Sequence, residues 1–288
     1  MGPFAVATLL TLIVLGSFWW IWRFEMKESA KEAGTMVDLQ RIRLDLDLKA
    51  AVEVLQQMES LSGTSLSSDQ FRGVIYSVVN ENDSIRSMRV LDSASREILI
   101  AEDSEENSTA VRAGSGKPAS LDGEFIEELR GLPIDEVLIS KFSVLDKSGK
   151  KEPTILLGTG LFFPSGARAG FLVADLYADQ LLTKMTKKIL EGDQDFFIVS
   201  PDGRWIYDSR SSDPWSALLE TETGSWIVDE YPEVWRAIIS QQNGTFASDG
   251  LWVFRDHSPL GTTADANVSV LKPGGKTVRG INTRPFYV

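Results

Sequence analysis

Twenty consecutive residues from Pro3 to Trp22 carry no charge and are dominated by Leu, Val, Ile and Ala. At about 1.5 Å rise per residue, a helix of that length spans roughly the 30 Å of a bilayer's hydrocarbon, so residues 1–25 read as a transmembrane anchor. Trp19, Trp20 and Trp22 gather at its C-terminal end beside Arg23, where amphipathic rings and a snorkelling cation sit at a membrane–water boundary. A cleaved signal peptide fits less well: no Lys or Arg precedes the run, and bulky rings stand where small cleavage-site residues belong.

Beyond the anchor the pattern changes period twice. Residues 26–60 are rich in Glu, Lys, Leu, Ala and Gln and predict one helix. Val37, Leu44, Leu48, Ala51, Leu55 and Met58 form an apolar seam along it, to be buried against the chain's own domain or paired with a second copy in a dimeric stalk. The "SGTSLSSD" stretch ends the helix, with Asp69 as a candidate N-cap for a short helix to Val79. From Ser84 the period shifts toward two. "IRSMRVLDSASREILIAED" (85–103) predicts a hairpin, 104–123 a polar loop, and the stretch from Leu121 to Leu129 a helix. Strands are expected over 135–149, 153–163 and 168–182, the last running into a helix toward Leu190. The order then partly repeats: "DFFIVSPDGRWIYDS" (195–209) is a second hairpin, 229–242 a helix and 244–260 a further hairpin. "KPGGK" reads as a turn and 280–288 as a last strand. The layout is an anchor (1–25), a long helix with a helical lead-in (26–83) and two mixed α+β modules (84–190 and 191–288).

Composition narrows the function. A formal charge of −12 repels polyphosphate backbones, so nucleic acid is not an expected partner. The absence of cysteine removes disulfides, thiolate metal sites and a cysteine nucleophile, and His257 is the only histidine. No phosphate loop, nucleophile elbow, zinc-helix motif or dinucleotide fingerprint is present. The chain reads as a non-enzyme with no cofactor and no metal. His257 is assigned a structural or surface role, and the alternating acids of "LDLDLK" (44–49) a solvated helix face.

The phrases "IRSMRVLDSASREIL", "GFLVADLYADQLL", "DFFIVSPDGRWIYDS" and "YPEVWRAI", in that order behind an anchor helix, resemble the double-Cache, PAS-like sensors of bacterial chemoreceptors, histidine kinases and diguanylate cyclases. The resemblance implies a long helix beside two tandem antiparallel-sheet modules, membrane-distal then membrane-proximal, with a small metabolite bound in the distal one. It also implies a second transmembrane helix and a cytoplasmic output domain after Val288. Arg23, Lys27 and Lys31 follow the apolar run, which by the positive-inside rule alone places the remainder in the cytoplasm. The resemblance places it outside, in the periplasm or beyond the cell, and is followed here.

Five residues are candidates for the ligand site. Asp175 lies in the apolar strand "FLVADLY", where a carboxylate needs a cation, donor or ligand. By resemblance to amino-acid-binding members it would grip an ammonium group. Alternatively it caps the following helix or pairs with a basic side chain. Those members also carry an arginine followed by Trp and Tyr, and "SGKPASLDGEFIEELRG" (115–131) has neither ring, which speaks against an α-amino acid. Alternation in "LISKFSVLD" puts Ser140, Phe142 and Val144 on one face and Lys141 and Ser143 on the other. Arg89 or Lys141 would suit an anionic ligand, the alternative being that both are surface charges. The ligand classes are thus organic acids, amines or amino-acid-like molecules. The competing reading is a protein-interaction or structural periplasmic module with no small-molecule ligand.

Overall fold

Helix α1 runs unbroken from Pro3 to Ser60 in the computed structural model, which describes residues 3–60, 69–104, 108–147, 150–183, 195–219, 225–248, 250–257, 277–280 and 286–287. Its seam is turned inward: Val37, Leu44, Leu48, Ala51, Leu55 and Met58 are all buried in the main core. Spacings of three, four and seven keep these residues on one stripe, and the helix therefore lies against its own chain. Leu39, Ile42 and Leu46 point the other way and are exposed. Among the described residues no helix is long and apolar enough to cross a membrane. The side chains of residues 3–13, within the run read as an anchor, lie outside the described residues.

The strands that follow are β1 (Ile85–Asp92), β2 (Glu97–Ser104), β3 (Ser108–Ala113), β4 (Glu136–Ile139), β5 (Ser143–Lys147), β6 (Lys150–Phe162) and β7 (Arg168–Tyr177). They build one sheet in the order β4-β6-β7-β1-β2-β3, with β5 also paired to β6. All these pairings are antiparallel. Alternation gives the sheet two different faces. Met88, Val90, Leu157, Leu172 and Ala174 pack toward α1 and helix α2 (Asp69–Glu81), which contributes Phe71, Ile75 and Val79. The opposite face carries Leu91, Leu138, Leu156, Phe171 and Val173 and is covered by helix α3 (Gly123–Gly131) through Phe125, Ile126 and Leu129. Asp122 caps α3, its Oδ1 accepting from the Glu124 N–H at 2.9 Å.

Glycine governs how closely these layers approach. At Gly158 a β-carbon would come within 2.8 Å of Leu129 Cδ1, so the bare backbone is what lets α3 settle on the sheet. At Gly170 it would run into the carbonyl oxygen of Leu91 on the neighbouring strand. That obstacle is backbone and cannot rotate away, so Gly170→Ala is expected to cost about 1–3 kcal/mol in a urea unfolding titration. A loss below about 0.5 kcal/mol, inside the range of neutral surface changes, would mean that the β1–β7 spacing relaxes freely.

A second, four-stranded sheet joins β8 (Phe197–Val199), β9 (Trp205–Asp208), β12 (Asp256–His257) and β14 (Phe286–Tyr287), while β10 (Gly244–Ala247) and β11 (Leu251–Phe254) form a separate hairpin. Val199, Trp205 and Phe254 pack with Val234, Ala237 and Ile238 of the helix Pro232–Gln241. One tail strand, β13 (Thr277–Gly280), instead pairs in parallel with β4 at the edge of the large sheet. Helix α1 reaches the second sheet through polar pairs. Asp38 accepts from Arg255 Nε at 3.2 Å, Arg41 Nε donates to His257 Nδ1 at 3.4 Å, and His257 Nε2 faces Asp45 Oδ1 at 3.5 Å.

Several expectations change. The polar stretch 104–123 contains β3, an edge strand on which Val111 packs against the main core while Ala110 and Arg112 on either side are exposed. One inward apolar side chain in six is too faint a period to register as a strand. The strand expected over 135–149 is two, β4 and β5, so residues 140–142 leave the sheet, with Ser140 and Phe142 buried and Lys141 exposed. The "LDLDLK" acids are not simply solvated, since Asp45 faces a fully buried histidine. The turn at 272–276 and the helix end after residue 183 lie outside the described residues.

Candidate functional site

Strand register brings Asp175 into a charged cluster. Asp175 on β7 stands opposite Leu156 of β6 and Ser87 of β1, and directly opposed positions share a face, so its side chain lies on the α3 side of the sheet. It is 1% exposed. Oδ2 accepts from the Ser87 hydroxyl at 2.6 Å and from Arg89 Nη2 at 3.2 Å, and Arg89 in turn lies 3.8 Å from Glu97. Asp175 Oδ1 and Arg89 Nε are buried without a hydrogen-bond partner among the described residues. Of the alternatives for Asp175, the pairing with a basic side chain is the one this geometry displays. The apolar residues of α3 fill the remainder of that face.

The open space is elsewhere. A cavity of about 670 Å³ lies where β4 and β5 part along the edge of β6. One wall is the 140–142 connection with the start of β5 (Ser143–Leu145), and Thr154, Ile155 and Leu156 of β6 lie behind it. Leu44 and Leu48 of α1 supply apolar floor, and Ser120, Leu121 and Asp122 form the rim before α3. The facing wall comes from the second sheet: Ser200, Pro201, Asp202, Arg204, Trp205 and Ile206 of the β8–β9 hairpin, with Leu218. An apolar interior with a few convergent polar groups, in the range of about 300–1,000 Å³, is the usual form of a small-molecule site.

The five sequence candidates therefore fall into two groups. Arg89 and Asp175 are bound to each other under α3, whereas Ser140, Lys141 and Phe142 line the cavity. Leu156 joins the groups, standing opposite Asp175 while its backbone exchanges hydrogen bonds with Ser140. The Ser140 hydroxyl accepts from Leu156 N at 2.8 Å and donates to the Lys141 carbonyl at 2.7 Å, which fixes the bend that opens the sheet. Phe142 is buried and tilts against Trp215 at 5.9 Å between ring centroids. The Lys141 side chain is 55% exposed and pairs with Glu124 at 3.7 Å.

Sequence reasoning missed Ser87, which only the register sets opposite Asp175, and Glu97, which joins the cluster through Arg89. It also left out the contribution of the β8–β9 turn to the cavity. The aromatic and basic cluster around Arg204, Trp205 and Tyr207 is largely core, with both rings buried and Trp205 Nε1 donating to Glu230 at 3.1 Å. Arg204 alone of the three combines a place on the cavity wall with a charge, its Nη2 donating to the Ala217 carbonyl at 3.1 Å.

Solved structures share this fold at low identity. The extracellular domain of vpHK1S-Z8, assigned to the histidine kinases, is 15% identical with a TM-score of 0.63, covering 82% of this chain and 88% of that one. A domain of a sensory box/GGDEF family protein from Vibrio parahaemolyticus is 16% identical with a TM-score of 0.61, covering 80% and 91%. The ligand-binding domain of the amino acid chemoreceptor PctC from Pseudomonas aeruginosa PAO1, solved with GABA, is 12% identical with a TM-score of 0.53, covering 90% and 98%. No curated protein matches the chain. Residues 42–268, well over half of the sequence, match the model of the bacterial histidine kinase sensor domain, and the chain belongs to that family.

Proposed function

We propose that this chain is the extracytoplasmic, ligand-sensing input region of a transmembrane receptor and that its small-molecule site is the cavity between the large sheet and the β8–β9 turn. The observation that carries this reading is the cavity itself, about 670 Å³ with an apolar floor, in a sensor-domain family member whose Asp175 face is already filled by α3. A double-Cache arrangement, with 84–190 distal and 191–288 proximal, is supported by the division of strands up to β7 from those of the second sheet, the exception being the tail strand beside β4. The anchor reading is supported by Leu15, Phe18, Trp19, Trp20, Trp22 and Phe24, all at least half exposed, which water solvates poorly and a bilayer would cover. Leu39, Ile42 and Leu46 offer a comparable exposed stripe for a second copy.

The sensing act follows from differential affinity. A ligand that contacts α1, the large sheet and the β8–β9 turn together favours whichever arrangement of those three elements fits it best, and it shifts α1 only by that preference. PctC binds GABA; an amine or amino-acid-like ligand here would need carboxylate acceptors in the cavity.

A second reading, an interaction module with no small ligand, is favoured by one observation: on the face that carries Asp175, Oδ2 is bound by Ser87 and Arg89 and apolar residues of α3 pack on the sheet. Thermal-shift screening of residues 26–288 with amino acids, organic acids, amines and nucleobases separates the two. Stabilisation by one class is expected, and Ser143→Trp, which places an indole in the cavity, is expected to abolish it while leaving the unliganded melting temperature within a few degrees. If no class stabilises the protein, the interaction reading stands. If stabilisation survives Ser143→Trp, the ligand sits elsewhere.

A further inference from the structure

Resting on the cavity as the ligand site, we infer that its ligand is a small organic anion, a carboxylate carried on an apolar body, held from the two facing walls by Lys141 and Arg204. Four charged side chains line the cavity, the acids Asp122 and Asp202 and the cations Lys141 and Arg204. The acids are committed to the chain's own donors. Asp122 Oδ1 caps α3 through the Glu124 N–H at 2.9 Å, and Asp202 Oδ1 accepts the Ser200 hydroxyl inside the β8–β9 turn. Each acid therefore gives one of its two oxygens to a cap or a turn, and rotating that oxygen away would lose the bond. The cations are differently placed. The Lys141 ammonium is 55% exposed, and its ion pair to Glu124 at 3.7 Å is between two exposed groups, the class of pair that contributes little and exchanges readily. Arg204 comes to the cavity wall from the β8–β9 turn with a guanidinium of five N–H donors, of which Nη2 donates to the Ala217 carbonyl at 3.1 Å.

Between the cations the lining is apolar: Leu44 and Leu48 from α1, Ile155 and Leu156 from β6, Ile206 and Leu218 opposite. A bare inorganic anion would leave that surface wet. An aliphatic or aromatic tail covers it while its carboxylate engages one or both cations, a charge-assisted bond stronger than one to a neutral group. Because Lys141 lies on the connection between β4 and β5 and Arg204 on the β8–β9 turn, such a ligand also ties the two sheets together.

The test is calorimetric titration of the full chain, held in detergent micelles, with straight-chain monocarboxylates of four to eight carbons, phenylacetate and α,ω-dicarboxylates, each beside its primary amide and the corresponding amine. Carboxylates are expected to bind at least tenfold tighter than their amides, and amines not to bind. Lys141→Gln is the principal variant, since an exposed lysine can be replaced without unfolding the protein. It is expected to weaken carboxylate binding about tenfold and to flatten its salt dependence. Arg204→Lys, which keeps the charge, should weaken it less than Arg204→Gln. If amides or amines bind in place of carboxylates and Ser143→Trp blocks them, the cavity reading holds and the anion assignment is overturned. Carboxylate binding that both Lys141→Gln and Arg204→Gln leave unchanged also overturns it. If no probe binds in a manner sensitive to Ser143→Trp, the cavity reading fails and the anion assignment fails with it.

Discussion

Replacing Asp175 with alanine is expected to lower the stability of the domain by about 3–5 kcal/mol, the cost of stranding the other half of a buried ion pair. Asp175 is 1% exposed and Arg89 12% exposed, and the two meet at 3.2 Å at Oδ2, which also accepts from the Ser87 hydroxyl. Removing the acid leaves a buried guanidinium whose remaining carboxylate neighbour, Glu97, is 3.8 Å away. Most of the loss should be returned when Arg89→Met is added, because two apolar side chains of similar volume carry no charge to desolvate. The double-mutant cycle, read by urea unfolding, therefore has a coupling term of a few kcal/mol. The size of the effect also assigns the residue. A carboxylate kept for a ligand is often a stability liability, and its removal costs little or even stabilises. A loss below about 1 kcal/mol would place Asp175 among ligand-binding groups after all.

Acid should loosen α1 from the second sheet through His257. The ring is fully buried, and burial first, with the Arg41 cation second, lowers its pKa from the ordinary 6.5 to about 3. Arg41 Nε donates to Nδ1 at 3.4 Å, which leaves the neutral ring's proton on Nε2, facing Asp45 Oδ1 at 3.5 Å. Asp38 and Arg255 complete the charged surroundings, joined at 3.2 Å. The unfolded chain takes up a proton near pH 6.5 and the folded chain only near pH 3. Stability is therefore fully present above pH 6.5 and is lost as the pH falls from 6.5 toward 3. At roughly 1.4 kcal/mol per pH unit, the loss is about 2 kcal/mol by pH 5 and on the order of 4 kcal/mol at the lower end. His257→Gln removes the only histidine in the chain. Unfolding titrations between pH 7 and pH 5 are expected to slope for the parent and run nearly flat for this variant. Equal slopes would show that His257 titrates freely in the folded state.

Much of this fold was legible in the sequence because its signals are local and periodic. The seam from Val37 to Met58 announced the buried stripe of α1, and the "LDSAS" and "SPDG" turns located the β1–β2 and β8–β9 hairpins. Two features were hidden for opposite reasons. Strand β3 has too little apolar period to stand out from a polar loop, and the break at residues 140–142 sits inside an apolar run whose period never falters. That break is a tertiary decision, fixed when the Ser140 hydroxyl and carbonyl-side geometry replace a strand pairing near Leu156.

The candidate site was legible in part only. Asp175 was visible as a carboxylate in an apolar strand, but the choice between partner and ligand depended on a register that sets Ser87 and Arg89 against it. Ser140, Lys141 and Phe142 were chosen on a continuous strand that the structure interrupts, and they line the cavity at that interruption. The facing wall lies about sixty residues further along the chain. No short-range pattern in a single sequence connects it to β5.

The absence of cysteine permits a direct, ligand-independent test of where the open site lies. Ser143→Cys and Ser87→Cys each introduce one thiol, the first on the cavity wall and the second beside Asp175. With methyl methanethiosulfonate in native buffer, the thiol at position 143 should react within about tenfold of an exposed thiol's rate, since reactivity follows access. The thiol at position 87, on a residue 1% exposed, should stay protected until the protein unfolds. A protected thiol at 143 together with a reactive one at 87 would contradict the account and return the ligand site to the Asp175 face.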